Sequence, residues 1–277
     1  MEINQGMLDE MFSVIPRIAK EAGEKILEIY NCAEDSTIKT KHEDDYESPL
    51  TKADLEANKI IIDNLRLLYP KIKILTEEEV DNKERLNSEL LFIVDPLDGT
   101  KDFIKRTGDF TVNIALVFKK KPILGCVYVP FYEEIYIAAK GKGAFFQKNN
   151  GLLEKIKVSS EKDICDMKIV RSRSHAKPEF SELINKHRFK EVTPYGSSLK
   201  GCKIAQGLVD VYPRFGPTNE WDIAAMNCVV TEAGGMMTDF EGKELTYNNE
   251  NTLNNGFLIS NGKIHEQLLK ICIDAKK

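Results

Sequence analysis

The chain has 277 residues, of which 42% are hydrophobic and 30% charged, a composition typical of a soluble globular protein long enough for two core-bearing units. Its formal net charge of −5 does not favour long nucleic acid as a partner, although a small anionic ligand would meet local rather than net charge. No apolar run approaches the roughly 20 residues that span a bilayer, and no signal peptide is visible, so we expect a cytoplasmic protein without an integral membrane segment and leave peripheral membrane association open.

The first half of the chain predicts two helices followed by a series of strands. Apolar residues recur at helical spacing over 8–30, and a second helix is expected to end before Pro70. The polar stretch from Asp35 to Glu47 predicts a loop between them. Strands are expected at Ile72–Leu75, Leu90–Asp95, Phe110–Phe118, Ile123–Val129 and Ile135–Ala139, the last three as an antiparallel meander.

From about residue 156 the pattern alternates between strands and helices, which is typical of an α/β arrangement. The expected strands are Ile156–Val158, Met167–Arg171, Val209–Tyr212 and Phe257–Ser260. The expected helices are 178–188, 198–207, 220–232 and 263–275. We therefore predict an N-terminal α+β subdomain over 1–155 and a C-terminal α/β subdomain over 156–277, with the boundary in the polar Lys148–Lys155 segment.

The segment 93–103 is the most informative part of the sequence. An apolar strand ends on Asp95, a Pro-Leu turn leads to Asp98, and Gly99 and Thr100 follow where a helix could begin. Two carboxylates at the mouth of a sheet, beside free backbone N–H groups, suit a hard divalent cation held against a phosphate. For the D-P-x-D pattern alone, a turn with an Asp N-cap is an equally good explanation.

Three further segments place oxygen-bearing side chains at the ends of predicted elements. Thr51 and Asp54 fit a capping-box start of the second helix, with Asp in place of the usual Glu. Glu77 and Glu78 follow a strand, where such acids are most often a solvated helix start. Asp222 lies in the first turn of an apolar helix, where its interaction with the helix dipole would explain it. Each segment has an ordinary structural explanation, and only their combination indicates chemistry.

In order and spacing, these segments resemble the inositol monophosphatase superfamily of Mg²⁺-dependent, lithium-sensitive phosphatases. The family pattern is Glu-Glu after a strand, then D-P-[IL]-D-G-T, then W-D, then E-A-G-G. Here these motifs are Glu77-Glu78, Asp95–Thr100, Trp221-Asp222 and Glu232–Gly235. The resemblance covers nearly the whole chain. It implies a layered α-β-α-β-α sandwich of the inositol monophosphatase and fructose-1,6-bisphosphatase type.

Within the superfamily, the chain looks most like the CysQ-type 3′(2′),5′-bisphosphate nucleotidases. The similarity rests on Asp98–Phe103, Ser172–His175, Gly196–Lys200 and Tyr212–Thr218, although the CysQ pattern usually has Glu at the position of Asp102. It implies an enzyme that removes the 3′-phosphate of adenosine 3′,5′-bisphosphate, giving AMP and phosphate, in sulfur metabolism. A phosphatase of inositol monophosphate or another small sugar phosphate is an alternative. A non-catalytic nucleotide-sensing protein is an alternative of another class.

The resemblance also implies a metal centre and a water-activating pair. The implied ligands of two or more Mg²⁺ ions are the side chains of Glu77, Asp95, Asp98 and Asp222 and the backbone carbonyl of Leu97. Asp54 and Thr100 would orient the attacking water. Close like charges oppose ionisation, so these carboxylates need cations, and bound metal ions would in turn generate the nucleophile. No Cys or His nucleophile occurs in the motifs, and no phosphoenzyme is expected.

The substrate contacts implied by the resemblance fall into two groups. The backbone N–H groups of Gly99 and Thr100 would hold the reacting phosphate, with Asp222 also at the substrate. The second phosphate would be bound by Ser197, Lys200 and Arg214. A guanidinium suits that role because it can bind phosphate through two hydrogen bonds. His175 is a candidate nucleotide contact, for which a structural or solvated histidine is the alternative. The oligomeric state is left open.

Overall fold

The computed structural model describes residues 5–32, 39–43, 46–173 and 177–276. The described helices are α1 (Gln5–Asn31), α2 (Lys52–Leu68), α3 (Thr100–Ile104), α4 (Pro178–Lys186), α5 (Leu199–Ala205), α6 (Glu220–Glu232) and α7 (His265–Asp274). None of the helices in these ranges is long and apolar enough to cross a membrane.

The larger sheet has seven strands in chain order. They are β3 (Lys73–Thr76), β4 (Leu90–Asp98), β5 (Thr111–Phe118), β6 (Lys121–Val129), β7 (Glu134–Ala139), β8 (Gly143–Lys148) and β9 (Glu154–Ile156). Strands β3 and β4 pair in parallel, and every later neighbour pairs antiparallel. Consecutive antiparallel strands need only short connections, so 111–148 form a continuous meander, as predicted.

The smaller sheet has five strands in the order β11-β10-β12-β16-β14. They are β10 (Lys168–Ser172), β11 (Glu191–Tyr195), β12 (Val211–Arg214), β14 (Met236–Thr238) and β16 (Phe257–Ser260). Two separate pairs complete the described strands: β1 (Lys39–Glu43) with β2 (Tyr46–Leu50), and β13 (Thr218–Asn219) with β15 (Leu253–Asn254).

The central strands are apolar on both faces because each sheet is covered on both sides. Along β4, Phe92 packs into a core with α1 and α2, whereas Leu91 and Ile93 face a second core with α5 and α6. Along β12, Tyr212 belongs to this second core and Val211 to a third core with α4 and α7. The period of two along a strand thus sorts side chains into three cores. The layers are α-β-α-β-α, which confirms the predicted fold class.

Helix α6 lies in the middle layer, directly against the larger sheet. A Cβ atom added at Gly125 of β6 would lie 2.3 Å from the Ala225 carbonyl oxygen and 2.8 Å from Cβ of Cys228. The missing side chain therefore lets the helix approach the sheet at backbone distance. This contact fixes the height of α6 above the sheet.

Several sequence predictions agree closely with these elements. The helix predicted at 220–232 is α6, with the same bounds, and α2 ends at Leu68, before Pro70. The helix predicted at 8–30 spans Gln5–Asn31. The division of the chain at residue 155 stays a prediction.

Three local predictions are wrong. The stretch 35–47 was expected to be a loop, but its described backbone includes β1, and Lys39 of β1 pairs with Leu50 of β2. The strand expected at Ile156–Val158 begins and ends two residues earlier, as β9 (Glu154–Ile156). It pairs with β8 at the edge of the larger sheet, not with the strands of the second half of the chain. The strand expected to end at Asp95 continues to Asp98. Polar composition is only a correlate of loops, and element boundaries depend on partners that are distant in sequence.

His265, at the start of α7, joins that helix to the smaller sheet. Its Nε2 lies 2.9 Å from Oγ1 of Thr238, and its Nδ1 lies 2.7 Å from Oγ of Ser260. The ring is 5% exposed. Burial lowers the pKa of His265 from 6.5 to about 4, because the buried ring resists becoming charged. The folded protein thus holds this histidine neutral.

We predict a stability loss in mild acid that depends on His265. Between the ordinary pKa of 6.5 and the folded value of about 4 the unfolded chain takes up a proton that the folded chain does not, so stability falls with falling pH. The loss should be about 2 kcal/mol, below the full linkage value because pH 4.5 lies between the two pKa values. Urea unfolding at pH 7 and pH 4.5 measures it. His265→Gln should lose correspondingly less over the same interval; equal losses in both proteins would contradict the assignment.

Candidate metal centre and active site

A bulge in β4 brings Asp95 and Asp98 to the same side of the sheet. Asp95 lies opposite Asn113 of β5, and Asp98 lies opposite Thr111, so three steps on β4 match two on β5. In a regular strand, residues three apart point to opposite faces. The extra residue of the bulge cancels that alternation. Pro96 lies inside the bulge, where a missing N–H removes no ladder hydrogen bond.

Three of the predicted metal ligands converge from different elements. Glu77 follows β3, whose parallel register with β4 places Thr76 beside Val94 and brings Glu77 next to Asp95. Asp222 comes from the first turn of α6. Carboxylate oxygens of Glu77, Asp95 and Asp222 lie within 4.8 Å of one another. We call these three residues the carboxylate cluster.

The environment of Asp95 fits a bound cation. Its side chain is 1% exposed. One carboxylate oxygen accepts a hydrogen bond from the Leu97 N–H at 3.1 Å, while Oδ2 has no hydrogen-bond partner among the described residues. Burial, and then the charges of Glu77, Asp98 and Asp222, raise the pKa of Asp95 well above its usual range. A buried carboxylate oxygen without a donor is costly, and a hard divalent cation would supply the missing partner.

Asp98 borders the carboxylate cluster and connects it to the second half of the chain. Its Oδ2 accepts hydrogen bonds from the Ser198 N–H at 2.7 Å and from Nδ2 of Asn113 at 3.5 Å. Burial raises the pKa of Asp98, while the positive charge of Lys200 and the Ser198 N–H oppose that shift. The carbonyl of Leu97 accepts a long hydrogen bond of 3.4 Å from the Thr100 hydroxyl. Metal ligation by that carbonyl stays a prediction.

Asp54 and Thr100 meet across 46 positions of sequence. The predicted capping box of α2 is present: Oδ2 of Asp54 accepts the Thr51 N–H at 2.8 Å, and the Thr51 side chain accepts the Ala53 N–H. Oδ1 of Asp54 accepts the Thr100 hydroxyl at 3.1 Å. The helix cap and the predicted catalytic contact therefore coexist, one on each carboxylate oxygen. The cap fixes the orientation of the carboxylate that Thr100 uses.

Asp222 is held by the same device. At the start of α6, its Oδ2 accepts the Asn219 N–H at 3.0 Å, which completes a capping box with Asn219 as the N-cap. Its backbone carbonyl accepts the Ser198 hydroxyl at 2.6 Å. The structure thus adds a helix cap to the predicted interaction of Asp222 with the helix dipole, and the same residue lies in the carboxylate cluster.

The residues predicted to bind a second phosphate lie beside the cluster. Lys200 is 6% exposed, and burial lowers its pKa to about 8 despite the opposing charge of Asp98; the positive charge of Arg214 lowers it further. Arg214 donates to the Pro217 carbonyl at 3.0 Å, and its buried Nε has no hydrogen-bond partner in the described structure. Oγ of Ser197 is likewise buried without one. Buried donors are normally satisfied, so a bound acceptor would supply the missing partners, and phosphate binding by these residues stays a prediction.

A small cavity beside Arg214 extends this cationic region. The residues that line it are Arg171, Ser172, Lys177, Phe180, Tyr212, Pro213, Arg214, Phe215 and Gly216. Aromatic side chains next to cationic ones suit a ligand that carries both a flat ring and an anionic group. His175 lies outside the described residues.

Gly99 brings the two halves of the site into contact. Its φ of +94° is in the left-handed region, and an added Cβ would lie 3.0 Å from the Asp109 carbonyl oxygen and 3.3 Å from Cβ of Ser197. A side chain at this position would be strained and crowded. Phosphate binding by the N–H groups of Gly99 and Thr100 stays a prediction.

Sequence reasoning missed Asp109 and its partner Arg173. Asp109 is 1% exposed and forms an ion pair of 2.7 Å with Arg173. A Gly-Asp pair before a strand reads as an ordinary turn, so nothing local marked Asp109. Arg173 lies within the Ser172–His175 segment that carried the family resemblance, and that was the only available signal.

Comparison with known proteins agrees with this geometry. The model of the inositol monophosphatase family matches residues 7–276. The 3′(2′),5′-bisphosphate nucleotidase CysQ of Escherichia coli O157:H7 is 42% identical over 252 residues, which cover 90% of this chain and 99% of that protein. The protein of the same name from Buchnera aphidicola is 37% identical, covering 91% and 94% of the two chains.

Solved structures show the same relationship. CysQ from Bacteroides thetaiotaomicron, described as a bacterial member of the inositol monophosphatase family, matches with a TM-score of 0.78 and 36% identity, covering 94% of this chain and 99% of that one. An IMPase from Thermotoga maritima matches with a TM-score of 0.82 and 28% identity, covering 96% and 98%. The chain therefore belongs to the inositol monophosphatase family.

Proposed function

We propose that this protein is a Mg²⁺-dependent 3′(2′),5′-bisphosphate nucleotidase that converts adenosine 3′,5′-bisphosphate to AMP and phosphate. The observation that carries the proposal is that the buried Ser197 hydroxyl and the buried Nε of Arg214 have no hydrogen-bond partner in the described structure, while the N–H of the adjoining Ser198 donates to Asp98 at 2.7 Å. A second phosphate held by these residues would adjoin the carboxylate cluster at which the first would react. Relatives at 42% identity named as CysQ nucleotidases support it. A cytoplasmic location and a small-molecule substrate go with this proposal.

The carboxylate cluster, Asp98 and the Leu97 carbonyl would hold two or more Mg²⁺ ions. Bound Mg²⁺ lowers the pKa of a coordinated water and stabilises the attacking and leaving oxygens of an in-line displacement. The unpartnered Oδ2 of Asp95 is the feature of this chain that most directly supports such an ion.

Asp54 and Thr100 would control the proton of the attacking water. The Thr100 hydroxyl donates to Oδ1 of Asp54, which leaves its lone pairs to accept a hydrogen bond from water. The proton then has a path from water to Thr100 Oγ1 and on to Asp54. The donors from Thr51 on Oδ2 fix the direction of the Asp54 carboxylate, so that Oδ1 stays within reach of the Thr100 hydroxyl.

Lys200, Arg214 and Ser197 would hold the 5′-phosphate, which does not react. A monophosphate such as 3′-AMP lacks that group and would leave these buried donors unpaired. Buried donors without acceptors oppose binding. This arrangement favours a bisphosphate over inositol monophosphate or another small sugar phosphate, and a panel of such substrates decides between them.

We predict that activity depends on metal and on Asp98. EDTA should abolish phosphate release and added Mg²⁺ should restore it. Asp98→Asn removes a charge beside the metal centre with little change in volume, so kcat should fall by at least about 100-fold while the far-ultraviolet circular dichroism is retained. Isothermal titration with Mg²⁺ alone should show weaker binding to the variant.

The matched control is Asp63→Asn, which removes an exposed carboxylate on α2 that pairs only with Lys59 among the described contacts. It should behave like the unaltered protein. Full activity in chelator would exclude the metal mechanism.

We predict that Arg214 sets substrate choice. Loss of a charge-assisted contact costs about 1.5–3 kcal/mol, or roughly 10- to 150-fold in kcat/KM. Arg214→Ala should therefore lower kcat/KM by this factor for adenosine 3′,5′-bisphosphate and much less for 3′-AMP, which differs only in lacking the 5′-phosphate. Lys200→Ala should shift the same ratio in the same direction. The measurement is kcat/KM of each variant on both nucleotides.

Arg66→Ala serves as the control because the Arg66 side chain is 59% exposed and pairs with Glu79 at the surface. It should leave the ratio unchanged. If Arg214→Ala lowered both substrates equally, Arg214 would support the metal centre or the fold. If it lowered neither, a generic phosphatase would be the better assignment.

A further inference from the structure

The turn 196–198, which joins β11 to α5, is held in a strained conformation. Ser197 has a φ of +39°, a left-handed conformation that costs free energy for a residue with a side chain. The residues on either side are anchored: the Gly196 N–H donates to Asp109 at 2.8 Å and the Ser198 N–H donates to Asp98 at 2.7 Å. Such strain persists only where the surroundings impose it. The anchors therefore determine where the Ser197 hydroxyl lies.

Asp109 supplies the anchor that does not belong to the metal centre. Its Oδ2 accepts from Nε of Arg173 at 3.1 Å, from Nη2 of Arg173 at 2.7 Å and from the Gly196 N–H. Its Oδ1 accepts the Tyr132 hydroxyl at 3.0 Å. A carboxylate with four donors is fully satisfied, so Asp109 holds the Gly196 N–H in a fixed direction.

Arg173 connects Asp109 to β11, the strand that precedes the turn 196–198. Its Nη2 also lies 3.4 Å from the Pro194 carbonyl, and its backbone N–H donates to the Tyr195 carbonyl at 3.2 Å. The guanidinium thus spans the end of the strand and the carboxylate that holds the turn.

Gly196 is pressed against Asp109. A Cβ atom added at Gly196 would lie 2.6 Å from the Asp109 carbonyl oxygen and 2.7 Å from Cβ of Asp109. The same carbonyl oxygen lies 3.0 Å from the position of a Cβ on Gly99. The Asp109 carbonyl therefore packs against both Gly99 and Gly196, beside the direct contact of Gly99 with Ser197.

We propose that the pair of Asp109 and Arg173 is a positioning element that sets nucleotide specificity without touching the substrate. It holds the turn 196–198 so that Ser197 faces the second phosphate. The inference rests on the proposed nucleotidase function for its effect on specificity. The competing explanation is a buried ion pair that affects stability alone.

Amide hydrogen exchange tests the positioning itself, without substrate. Asp109→Ala removes the acceptor of the Gly196 N–H, whereas Asp109→Asn keeps an oxygen that can face it. Exchange at Gly196 and Ser198 should be at least roughly 10-fold faster in Asp109→Ala and less affected in Asp109→Asn. Slow exchange at both amides in a folded Asp109→Ala protein would overturn the proposal.

Two further variants make this test decisive. Arg173→Gln alters a side chain that is 38% exposed, so it should fold even if Asp109→Ala does not, and it should also accelerate exchange at Gly196. Glu134→Gln is the matched control because it removes one charge from another buried ion pair, Glu134 with Lys203 at 2.8 Å. It should destabilise the protein without changing exchange at 196–198. Equal acceleration in Glu134→Gln would mean general loosening and would overturn the proposal.

Specificity provides the second readout. AMP retains the 5′-phosphate but lacks the 3′-phosphate that would be hydrolysed. Its affinity therefore reports on the site of the second phosphate and not on the reaction. Arg173→Gln should raise the Kd of AMP and the KM for adenosine 3′,5′-bisphosphate by roughly 10-fold, with kcat changed less than about 2-fold. In a protein that already carries Ser197→Ala, Arg173→Gln should raise the Kd of AMP and the KM only slightly further, because the hydroxyl that Arg173 helps to position is absent.

The outcomes separate the two proposals. If wild-type protein fails to hydrolyse the bisphosphate, the proposed function is wrong, and the exchange measurements still decide whether Asp109 and Arg173 hold the turn. If wild-type protein is active and Arg173→Gln lowers bisphosphate and 3′-AMP hydrolysis equally, the specificity role is wrong.

Discussion

Mutual repulsion within the carboxylate cluster is the constraint on which the site depends. Oxygens of Glu77, Asp95 and Asp222 lie within 4.8 Å of one another, an arrangement that opposes ionisation unless a cation is present. The three residues come from the end of β3, from the bulge of β4 and from α6. The fold must therefore hold elements from two layers together against an unfavourable interaction. The cores on both faces of the larger sheet provide the opposing free energy.

Helix caps contribute to that rigidity as well as to helix stability. Asp54 and Asp222 each use one oxygen to cap their own helix. A cap replaces side-chain freedom with a fixed direction, so the second oxygen is presented at a defined point with no further ordering cost. The structural explanation of these two acidic residues, a helix cap, is therefore compatible with the role in the site that is predicted for them. This is why each motif alone was ambiguous and the combination was not.

The sequence was informative where the determinants are local. The bounds of α6 follow from local sequence features, whereas the five-layer architecture was implied by the family resemblance. The clustering of Glu77, Asp95 and Asp222 agrees with the ligand set that the resemblance implied. The bulge at Pro96 was missed because a bulge is defined by the partner strand. Asp109 was missed because its burial and its bonds to Arg173 and Gly196 arise between segments far apart in sequence. Strand β11 was not predicted because it lies at the edge of its sheet, where exposed side chains leave little apolar pattern in the sequence.

The close approach of α6 at Gly125 links packing to chemistry. Because the helix rests on the strand at backbone distance, no compressible side chain lies between the larger sheet and the element that carries Asp222. A displacement at this contact would be transmitted along the helix to its first turn rather than absorbed, since packed interiors transmit strain. Substitutions that enlarge a side chain at this contact would therefore move Asp222 relative to the other two residues of the carboxylate cluster. The absence of a side chain at Gly125 thus helps to set where Asp222 is placed, since Asp222 precedes Ala225 by about one helical turn.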